Sequence, residues 1–428
     1  MNNNDLYVSL DIGTSTTKVI ISEMVNDSIN IIGVGNVESE GIKKGAIIDI
    51  DETVHSIRKA IGEAERMVGM NINNVIVGIP SNHVVLQTCH GVVAVSSENR
   101  EITDEDVARV MDAAQVMSIP PEREIVNVIP KQFIVDGLDE INDPRGMIGV
   151  RLEMEGIIVT SSKTVLHNIL RCVERAGLTI SEIVLQPLAA GAIALSKDEK
   201  ELGTVLVDIG GGCTTLAVFE NGHIKATSVL PVGGDNITKD LSIVLRTSTE
   251  DAERVKVKHG HAFSPDALED EVFNVPIIGS NQQERFNQLQ ISDIIEARLE
   301  EMFLFVQQEL KRMGIVDLPG GIVLTGGTAN LPGVLELAQS VFQNRVRMAI
   351  PDYIGVREPQ YTTAVGLINY AYKNARLQGR NVSSTTVQTE YVEKKPVKAS
   401  QPKQKHEPRN QEDKLSSKMK KFWGIFFE

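Results

Sequence analysis

Leu10-Asp-Ile-Gly-Thr-Ser-Thr-Thr-Lys18 is the stretch that decides the fold, because its pattern returns 197 residues later as Val207-Asp-Ile-Gly-Gly-Gly-Cys-Thr-Thr215. In each copy an apolar run leads into Asp, a turn rich in glycine or hydroxyl side chains follows, and a second apolar run ends in Glu, at Glu23 and Glu220. This pattern predicts a β-hairpin whose turn offers N–H groups and hydroxyls to an anion. Because Asp-Gly turns are common in hairpins, one copy alone would carry little weight. Two copies predict a pair of equivalent anion-binding hairpins.

The two aspartates occupy equivalent places, where the first strand of each hairpin ends. We expect Asp11 and Asp208 to face each other across a cleft and to hold hydrated Mg²⁺, which prefers oxygen ligands and keeps several waters. Lys18 would add a positive charge beside bound phosphates. The turn residues predicted to surround the phosphates are Gly13, Thr14, Ser15, Thr16, Thr17, Gly210, Gly211, Gly212, Thr214 and Thr215.

A second internal echo lies further along the chain. Gln186-Pro-Leu-Ala-Ala-Gly-Ala-Ile-Ala-Leu195 parallels Glu358-Pro-Gln-Tyr-Thr-Thr-Ala-Val-Gly-Leu367 at an offset of 172. Around these repeats, apolar runs typical of strands, such as Val75–Ile79, alternate with helical patterns such as Asp51–Val68. The alternation predicts an α/β fold. The repeats predict a body of two related lobes.

Length and charge limit the function classes. A chain of 428 residues exceeds one compact core of typical size, and 42% hydrophobic residues suffice for several cores. The net charge of −14 argues against general nucleic-acid binding, because most of the surface would repel a phosphate backbone. Cys89, Cys172 and Cys213 lie far apart and form no ligand set, which predicts a reduced cytosolic location without a zinc site. No secretory signal and no spanning apolar window is found, so any membrane contact is expected to be peripheral.

The C-terminal end has a different character. Residues 374–413 are rich in Gln, Ser, Lys, Pro and Glu and are predicted to form a flexible linker. Residues 414–428 are predicted to form an amphipathic helix with basic flanks, suited to an anionic lipid surface. The alternative is a helix that docks on the protein's own body or on another protein. The predicted membrane-facing side chains are Leu415, Met419, Phe422, Trp423, Phe426 and Phe427.

The two hairpins resemble the phosphate loops of the superfamily of actin, the heat-shock chaperones and the sugar kinases. The helix that begins at Gln186 resembles its first connecting helix, and Glu358–Tyr370 resembles the second. Gly233-Gly-Asp235 resembles the turn that follows the second loop. This resemblance implies ATP and Mg²⁺ as ligands, with Asp11 and Asp208 at the metal. Gln186 and Asp208 would be the catalytic residues, Gln186 by orienting the attacking water or the metal.

The nucleoside side of the site is also implied by this resemblance. Glu253 and Lys256, one helical turn apart, resemble the pair that contacts the nucleoside. Thr325-Gly-Gly-Thr-Ala-Asn-Leu-Pro-Gly333 resembles the adenosine loop, where glycines let the base and ribose approach the backbone. The further residues expected to bind ATP are therefore Gly233, Gly234, Asp235, Glu253, Lys256, Gly326, Gly327 and Thr328. Cys213 departs from the Thr often found in its loop, and a small tolerated residue is favoured over a redox role.

An actin-like body followed by a linker and a basic amphipathic C-terminus resembles the FtsA family of bacterial cell-division proteins over essentially the whole chain. The stretch Gly41-Ile-Lys-Lys-Gly-Ala-Ile-Ile-Asp49 is also FtsA-like. The resemblance implies an inserted subdomain at residues 82–162. It further implies a first lobe core at 1–81 and 163–195, a second lobe core at 196–225 and 304–373, and a small subdomain of the second lobe at 226–303.

The resemblance implies a recruitment function at the division septum. FtsA proteins bind the C-terminal tail of the tubulin-like protein FtsZ, tether its filaments to the cytoplasmic face of the membrane, self-associate into actin-like filaments and contact later division proteins. ATPase activity would be weak at most. Arg298 in the small subdomain is a candidate for pairing with the acidic tail, and a solvated surface charge is the alternative. Other superfamily members, a pilus-assembly scaffold, a rod-shape filament protein or a small-molecule kinase, are the alternative functions.

Overall fold

The computed structural model describes residues 5–280, 282–377 and 382–383. Within them the β-strands, in chain order, are β1 Leu6–Ile12, β2 Thr16–Val25, β3 Ser28–Glu38, β4 Ile42–Lys43, β5 Ala46–Ile47, β6 Asn74–Ile79, β7 Val85–Ala94, β8 Arg123–Val135, β9 Leu138–Ile141, β10 Arg151–Ser162, β11 Thr179–Leu185, β12 Thr204–Ile209, β13 Thr214–Glu220, β14 His223–Leu230, β15 Val272–Pro276, β16 Gln283–Asn287, β17 Ile322–Thr325 and β18 Val346–Met348.

The α-helices of the same described part are α1 Ile50–Val68, α2 Asp104–Ala114, α3 Lys163–Arg175, α4 Gln186–Ala194, α5 Lys197–Leu202, α6 Gly234–Val244, α7 Thr249–His259, α8 Gln288–Arg312, α9 Val334–Phe342 and α10 Thr362–Leu377. Short 3-10 turns lie at Ser264–Asp266, Gly327–Asn330 and Pro359–Tyr361.

Two five-stranded sheets share one plan. The first has the order β11-β6-β1-β2-β3 and the second the order β14-β13-β12-β17-β18. In each sheet three strands form an antiparallel meander, β1-β2-β3 or β12-β13-β14, and two further strands run parallel to its first strand. The predicted α/β fold with two duplicated halves is confirmed by this shared topology.

The repeated hairpins form the centre of each sheet. In β1–β2 the register pairs Asp11 with Lys18, and in β12–β13 it pairs Asp208 with Thr215. Every residue of β1 is buried, because helices cover the sheet and leave no solvent-facing side. Both faces of β1 are therefore buried, including the polar residues Ser9 and Asp11, which alternate with Val8, Leu10 and Ile12.

A separate antiparallel sheet follows β6. Its order is β7-β10-β8-β9, and α2 packs against it. Its own hydrophobic core includes Ile102, Val110, Leu152, Met154 and Ile158, each almost completely buried. This part of the chain therefore has a core distinct from those of the two five-stranded sheets.

Three predicted boundaries fall inside a strand or a helix of the structure. Strand β14 belongs to the second sheet, so the small subdomain does not begin at residue 226. Helix α8 runs without a break across residues 303 and 304, because its buried face packs on one continuous core. The linker does not begin at residue 374, since α10 continues to Leu377 with Asn374 and Ala375 buried.

The C-terminal predictions concern residues that the structure does not describe. The linker, apart from residues 374–377 and 382–383, and the amphipathic helix at 414–428 with all of its predicted membrane-facing side chains lie outside the described residues. In the described part of the chain, no helix combines the length and the apolar character needed to cross a membrane.

Candidate functional site

The two aspartates are each held by a donor from a long-range partner. Gln186, the first residue of α4, donates from Nε2 to Asp11 Oδ1 over 2.7 Å. Thr363, in the first turn of α10, donates from Oγ1 to Asp208 Oδ2 over 3.2 Å. The sequence named Gln186 as a site residue, for orienting a water or the metal, but it predicted neither this hydrogen bond nor the one from Thr363. The echo at offset 172 aligned Gln186 with Glu358 and therefore did not point to Thr363, which lies 177 residues after Gln186.

Asp11 and Asp208 are two carboxylates with little access to solvent. Burial raises the pKa of Asp11, while Lys18 and the hydrogen bond from Gln186 lower it. Loss of solvent also raises the pKa of Asp208, and the neighbouring Asp11 raises it further. Like charges in a low-dielectric site destabilise each other. A bound cation would remove that penalty.

The carboxylates of this site suit a Mg²⁺ ion that is held partly by waters and phosphates, and not a metal enclosed entirely by protein ligands. Among the described residues there is no cluster of three or more His, Cys, Asp or Glu side chains that could hold a metal. Mg²⁺ is commonly held through one or two carboxylates together with waters and substrate phosphates. Asp11 and Asp208 supply two carboxylates, and each is followed by a turn rich in glycine or hydroxyl residues.

The two predicted phosphate turns have the same internal hydrogen bond. Gly13 N–H donates to Thr16 O over 3.1 Å, and Gly210 N–H donates to Cys213 O over 3.0 Å. The turns also contact each other, because a Cβ added to Gly211 would clash with Ser15 and one added to Gly212 would clash with Thr14. Of the residues predicted to surround the phosphates, Thr14, Ser15, Gly211 and Gly212 are therefore in contact between the two turns.

The remaining turn residues have structural contacts. Lys18 is buried, and its Nζ donates to Thr16 Oγ1 over 2.6 Å. Thr17 Oγ1 shares a 2.8 Å hydrogen bond with Ser39 Oγ. Thr214 Oγ1 donates to Val232 O over 2.9 Å and is buried. Thr215 lies in β13 opposite Asp208.

Gly233-Gly-Asp235 begins helix α6. Gly234 N–H donates to Gly210 O over 3.0 Å, and Asp235 N–H donates to Gly211 O over 2.9 Å. These two amides therefore fix the second phosphate turn and are not free for an anion. The Asp235 carboxylate accepts from Ser15 Oγ over 3.2 Å, which joins the first turn to the second half of the fold.

The predicted nucleoside residues converge on the same segment. On α7, Lys256 is buried and pairs with Glu253 Oε2 over 2.6 Å. Lys256 Nζ also donates to Thr238 Oγ1 over 2.7 Å and to Gly234 O over 3.2 Å. Thr238, one turn along α6 from Gly234, is a further site residue that the motifs did not indicate. Its helical spacing from Gly234 is the signal that would have found it.

The predicted adenosine loop lies against the second phosphate turn. Gly326 has a φ of 97°, and a Cβ there would collide with Asp208 Oδ1 and with the backbone of Ile209, so only glycine fits. Thr328 Oγ1 donates to Gly210 O over 2.9 Å. Gly327 begins a 3-10 turn and a Cβ there would meet only Gln360, at 3.9 Å.

Cys213 is in the second phosphate turn and is partly buried. Burial raises the pKa of its thiol to about 11, and the carboxylates of Asp208 and Asp235 contribute to the rise. The thiol is therefore protonated at neutral pH, and a protonated thiol is a poor nucleophile. This favours the interpretation of Cys213 as a small tolerated residue.

Arg298 lies apart from this cleft, in a groove between α6 and α8. The groove has a volume of about 290 Å³ and is lined by Asp240, Ile243, Val244, Ile294, Ala297, Arg298 and Glu301. Arg298 Nε pairs with Asp240 Oδ2 over 2.5 Å, and its Nη1 pairs with Glu301. The Arg298 charge is thus compensated within the protein, while Ile243 and Val244 are 64% and 57% exposed.

Solved structures with the same fold define the class of protein. The chain is similar to the PilM-PilN type IV pilus biogenesis complex, with a TM-score of 0.58 and 16% identity over 85% of this chain and 97% of that chain. It is also similar to MreB5 of Spiroplasma citri bound to ADP, with a TM-score of 0.53 and 14% identity over 88% of this chain and 98% of that chain. At these identities the likeness shows the fold, a mixed α/β actin-like fold.

The sequence comparisons define the family. Residues 205–366 match the model of the cell division protein FtsA, and residues 81–160 match the SHS2 domain inserted in FtsA. The chain is 60% identical to the cell division protein FtsA of Bacillus subtilis strain 168 over 100% of both chains. It is 46% identical to that of Enterococcus hirae over 86% of this chain and 83% of the relative, and 35% identical to that of Escherichia coli K12 over 87% and 92%.

The chain belongs to the FtsA family of cell division proteins. The predicted resemblance is thereby confirmed. The alternatives of a pilus-assembly scaffold, a rod-shape filament protein and a small-molecule kinase are not favoured by these relatives.

Proposed function

We propose that this protein binds Mg-ATP in the cleft between its two hairpins and links FtsZ filaments to the cytoplasmic face of the membrane at the division septum. Its action there is mainly structural, with weak ATPase activity at most. The observation that carries the proposal is the exposed apolar groove between α6 and α8, which offers an FtsZ tail peptide a site apart from the nucleotide cleft.

The cleft residues support the nucleotide part of the proposal. Asp11 and Asp208 occupy equivalent strand ends, and the turn after each of them would offer backbone N–H groups and hydroxyls to phosphate oxygens. Mg²⁺, when bound, supplies the positive charge that lets two carboxylates and the phosphates share one site. Gln186 donates a hydrogen bond to Asp11 and would also orient a water, whereas Lys256 and Glu253, which pair with each other, would contact the nucleoside.

Structural neighbours support the same ligand class. One MreB5 structure of Spiroplasma citri is bound to ADP and another is bound to AMPPNP. In this chain the bound nucleotide would act as a conformational ligand. It would stabilise the relative position of the two phosphate turns that binds it more tightly.

The groove favours apolar recognition of the FtsZ tail. Because Arg298 is already paired with Asp240 and Glu301, the groove does not offer the peptide an uncompensated positive charge at this residue. Ile243 and Val244 on α6 provide apolar surface that a peptide would cover. Arg298 would then exchange one internal carboxylate for one of the peptide, which sets orientation more than affinity.

The remaining parts of the proposal come from the sequence and the family. The basic amphipathic segment at 414–428 would lie on anionic lipid and bring the bound FtsZ filament to the membrane. Self-association into actin-like filaments and contacts with later division proteins complete the role. The localisation that follows is peripheral, on the cytoplasmic side of the membrane at the septum.

The proposal is tested by binding of an FtsZ C-terminal tail peptide to the full chain, followed by fluorescence anisotropy. Ile243→Glu, which puts a charge in the groove, should weaken binding at least tenfold. Val257→Glu is the matched control, because Val257 is 71% exposed on α7 and does not line the groove. Equal affinity of the Ile243 variant and the wild type would contradict the groove, and no binding by the wild type would remove the FtsZ function itself.

A further inference from the structure

Each of the two hairpin carboxylates accepts a hydrogen bond from a residue near the start of a helix. Gln186 begins α4 and reaches Asp11, and Thr363 lies in the first turn of α10 and reaches Asp208. Thr363 is 6% exposed, so water has little access to compete with its hydroxyl for the Asp208 carboxylate. The two contacts are therefore candidates for one repeated feature.

The packing of the two helices supports this equivalence. A Cβ on Gly366 of α10 would collide with the backbone of Ala189 in α4, and Asn369 Nδ2 donates to Ala192 O over 3.5 Å. Both contacts join residues that are 177 apart in sequence, so the helices run parallel in that register. Gln186 and Thr363 are also 177 apart. They consequently occupy equivalent positions in the two helices.

The first turn of α10 is also anchored beside Asp208. Thr325, at the end of β17, pairs with Asp208 in the parallel ladder. Its Oγ1 lies 2.8 Å from Thr362 Oγ1 and donates to Pro359 O over 3.0 Å. All three threonines, Thr325, Thr362 and Thr363, are buried. The first turn of α10, which carries Thr363, is thus anchored in position next to Asp208.

Both donors are neutral, which matters for a cation site. A Lys or Arg at either position would cancel the charge of its carboxylate and compete with a metal. An amide or a hydroxyl orients the carboxylate and leaves its negative charge available. This is the chemistry expected of a group that supports a metal ligand without binding the metal.

We propose that Thr363 is a positioning residue of the Mg-nucleotide site, orienting Asp208 as Gln186 orients Asp11. The proposal rests on the proposed binding of Mg-ATP in the cleft. It assigns to the second connecting helix a direct link to the metal ligand of the second hairpin. Because α4 and α10 are packed on each other, a shift between these helices would move both carboxylates.

The test is the affinity for ATP measured by calorimetry, once with Mg²⁺ and once with EDTA. Thr363→Val removes the hydroxyl at nearly constant volume and should weaken binding about tenfold with Mg²⁺, with little change in EDTA. Thr363→Ser should restore the wild-type affinity. Thr362→Val is the matched control, since it removes a buried hydroxyl from the same helix turn that bonds to Thr325 and not to Asp208.

The outcomes separate this proposal from the nucleotide site itself. An unchanged affinity of Thr363→Val with Mg²⁺ would overturn the positioning role, as would an equal loss in Thr362→Val or an equal loss in EDTA. If Thr363→Val does not fold, the Ser variant and Thr362→Val decide by the same comparison, and a tenfold loss in Ser contradicts the role. If Asp208→Asn also leaves Mg-ATP affinity unchanged, the cleft assignment fails as well.

Discussion

Asp208 bears a cost in the free protein that its ligand would relieve. Loss of solvent and the charge of Asp11 raise the pKa of Asp208 to about 6, so the folded state binds this proton more tightly than the unfolded chain does. For a carboxyl group with a raised folded pKa, the destabilisation grows as pH rises from the unfolded pKa to the folded pKa. It is complete above the folded pKa. Site residues that are strained without their ligand are common where function requires charge.

Asp208→Asn is therefore expected to have opposite effects on stability and on binding. In EDTA without nucleotide, it should raise the free energy of unfolding by about 1–2 kcal/mol at pH 7.5 and change it little at pH 4. The same variant should lose Mg-dependent binding of ATP. Thermal unfolding at the two pH values and calorimetry with Mg-ATP measure these effects.

The matched control is Asp139→Asn, because Asp139 is an exposed residue of β9 and does not lie at a helix N-terminus. It should change neither the stability difference between pH 7.5 and pH 4 nor the affinity for ATP. If Asp208→Asn were destabilising at pH 7.5, the repulsion between the two carboxylates would not be the dominant effect at this position.

At the scale of the elements, the parallel packing of α4 and α10 depends on small residues. Gly366 meets the backbone of Ala189 so closely that no Cβ fits between the two helices. Helix α4 itself is composed mostly of small apolar residues, and most of them are buried. Each helix carries a residue that donates a hydrogen bond to one of the two aspartates. The distance between the helices therefore affects the position of these carboxylates as well as the packing of the core.

Gly366→Ala is expected to destabilise the protein by about 1–3 kcal/mol, since the added methyl forces the two helices apart. It should also weaken Mg-ATP binding, because Gln186 and Thr363 move with their helices. Urea unfolding and calorimetry are the measurements.

Gly62→Ala provides a control of the opposite sign. Gly62 lies inside α1, and a Cβ there would meet nothing within 4 Å. Alanine has the higher helix propensity, so this variant should be more stable by about 0.5–1 kcal/mol. Equal stability of the two alanine variants would argue against close packing of α4 on α10.

At the scale of the whole molecule, membrane attachment is assigned to a segment that the structure does not describe. The prediction rests on the apolar and basic pattern of residues 414–428. Residues 391–428 contain ten Lys or Arg against five Asp or Glu, so with a chain total of −14 the preceding residues carry about −19, and an anionic lipid surface would repel them. The proposed attachment would therefore need a segment of its own.

Trp423→Glu should release the full chain from vesicles that contain anionic phospholipid, because a charge replaces the bulkiest apolar side chain of the predicted helix. Trp423→Phe should remain bound, since it keeps an aromatic side chain at that position. Co-sedimentation with the vesicles measures both. Retention of the Glu variant would show that the anchor lies elsewhere in the chain.

The sequence by itself determined the features that are local or repeated. The hairpins at Asp11 and Asp208 were predictable because a strand, a turn and a second strand are adjacent in sequence, and because the pattern occurs twice. The start of α4 at Gln186 and most of α1 were predictable for the same reason. The predicted C-terminal helix belongs to this group but lies outside the described residues.

Only the tertiary structure decided which distant groups meet. It pairs Thr363 with Asp208, 155 residues apart, and Arg298 with Asp240, 58 residues apart. It also commits the Gly234 and Asp235 amides to the second phosphate turn. A sequence pattern reports periodicity and turn chemistry along the chain, whereas these contacts depend on how separate helices and strands pack. For that reason the motifs predicted the two aspartates as a site, and the fold showed which side chains donate hydrogen bonds to their carboxylates.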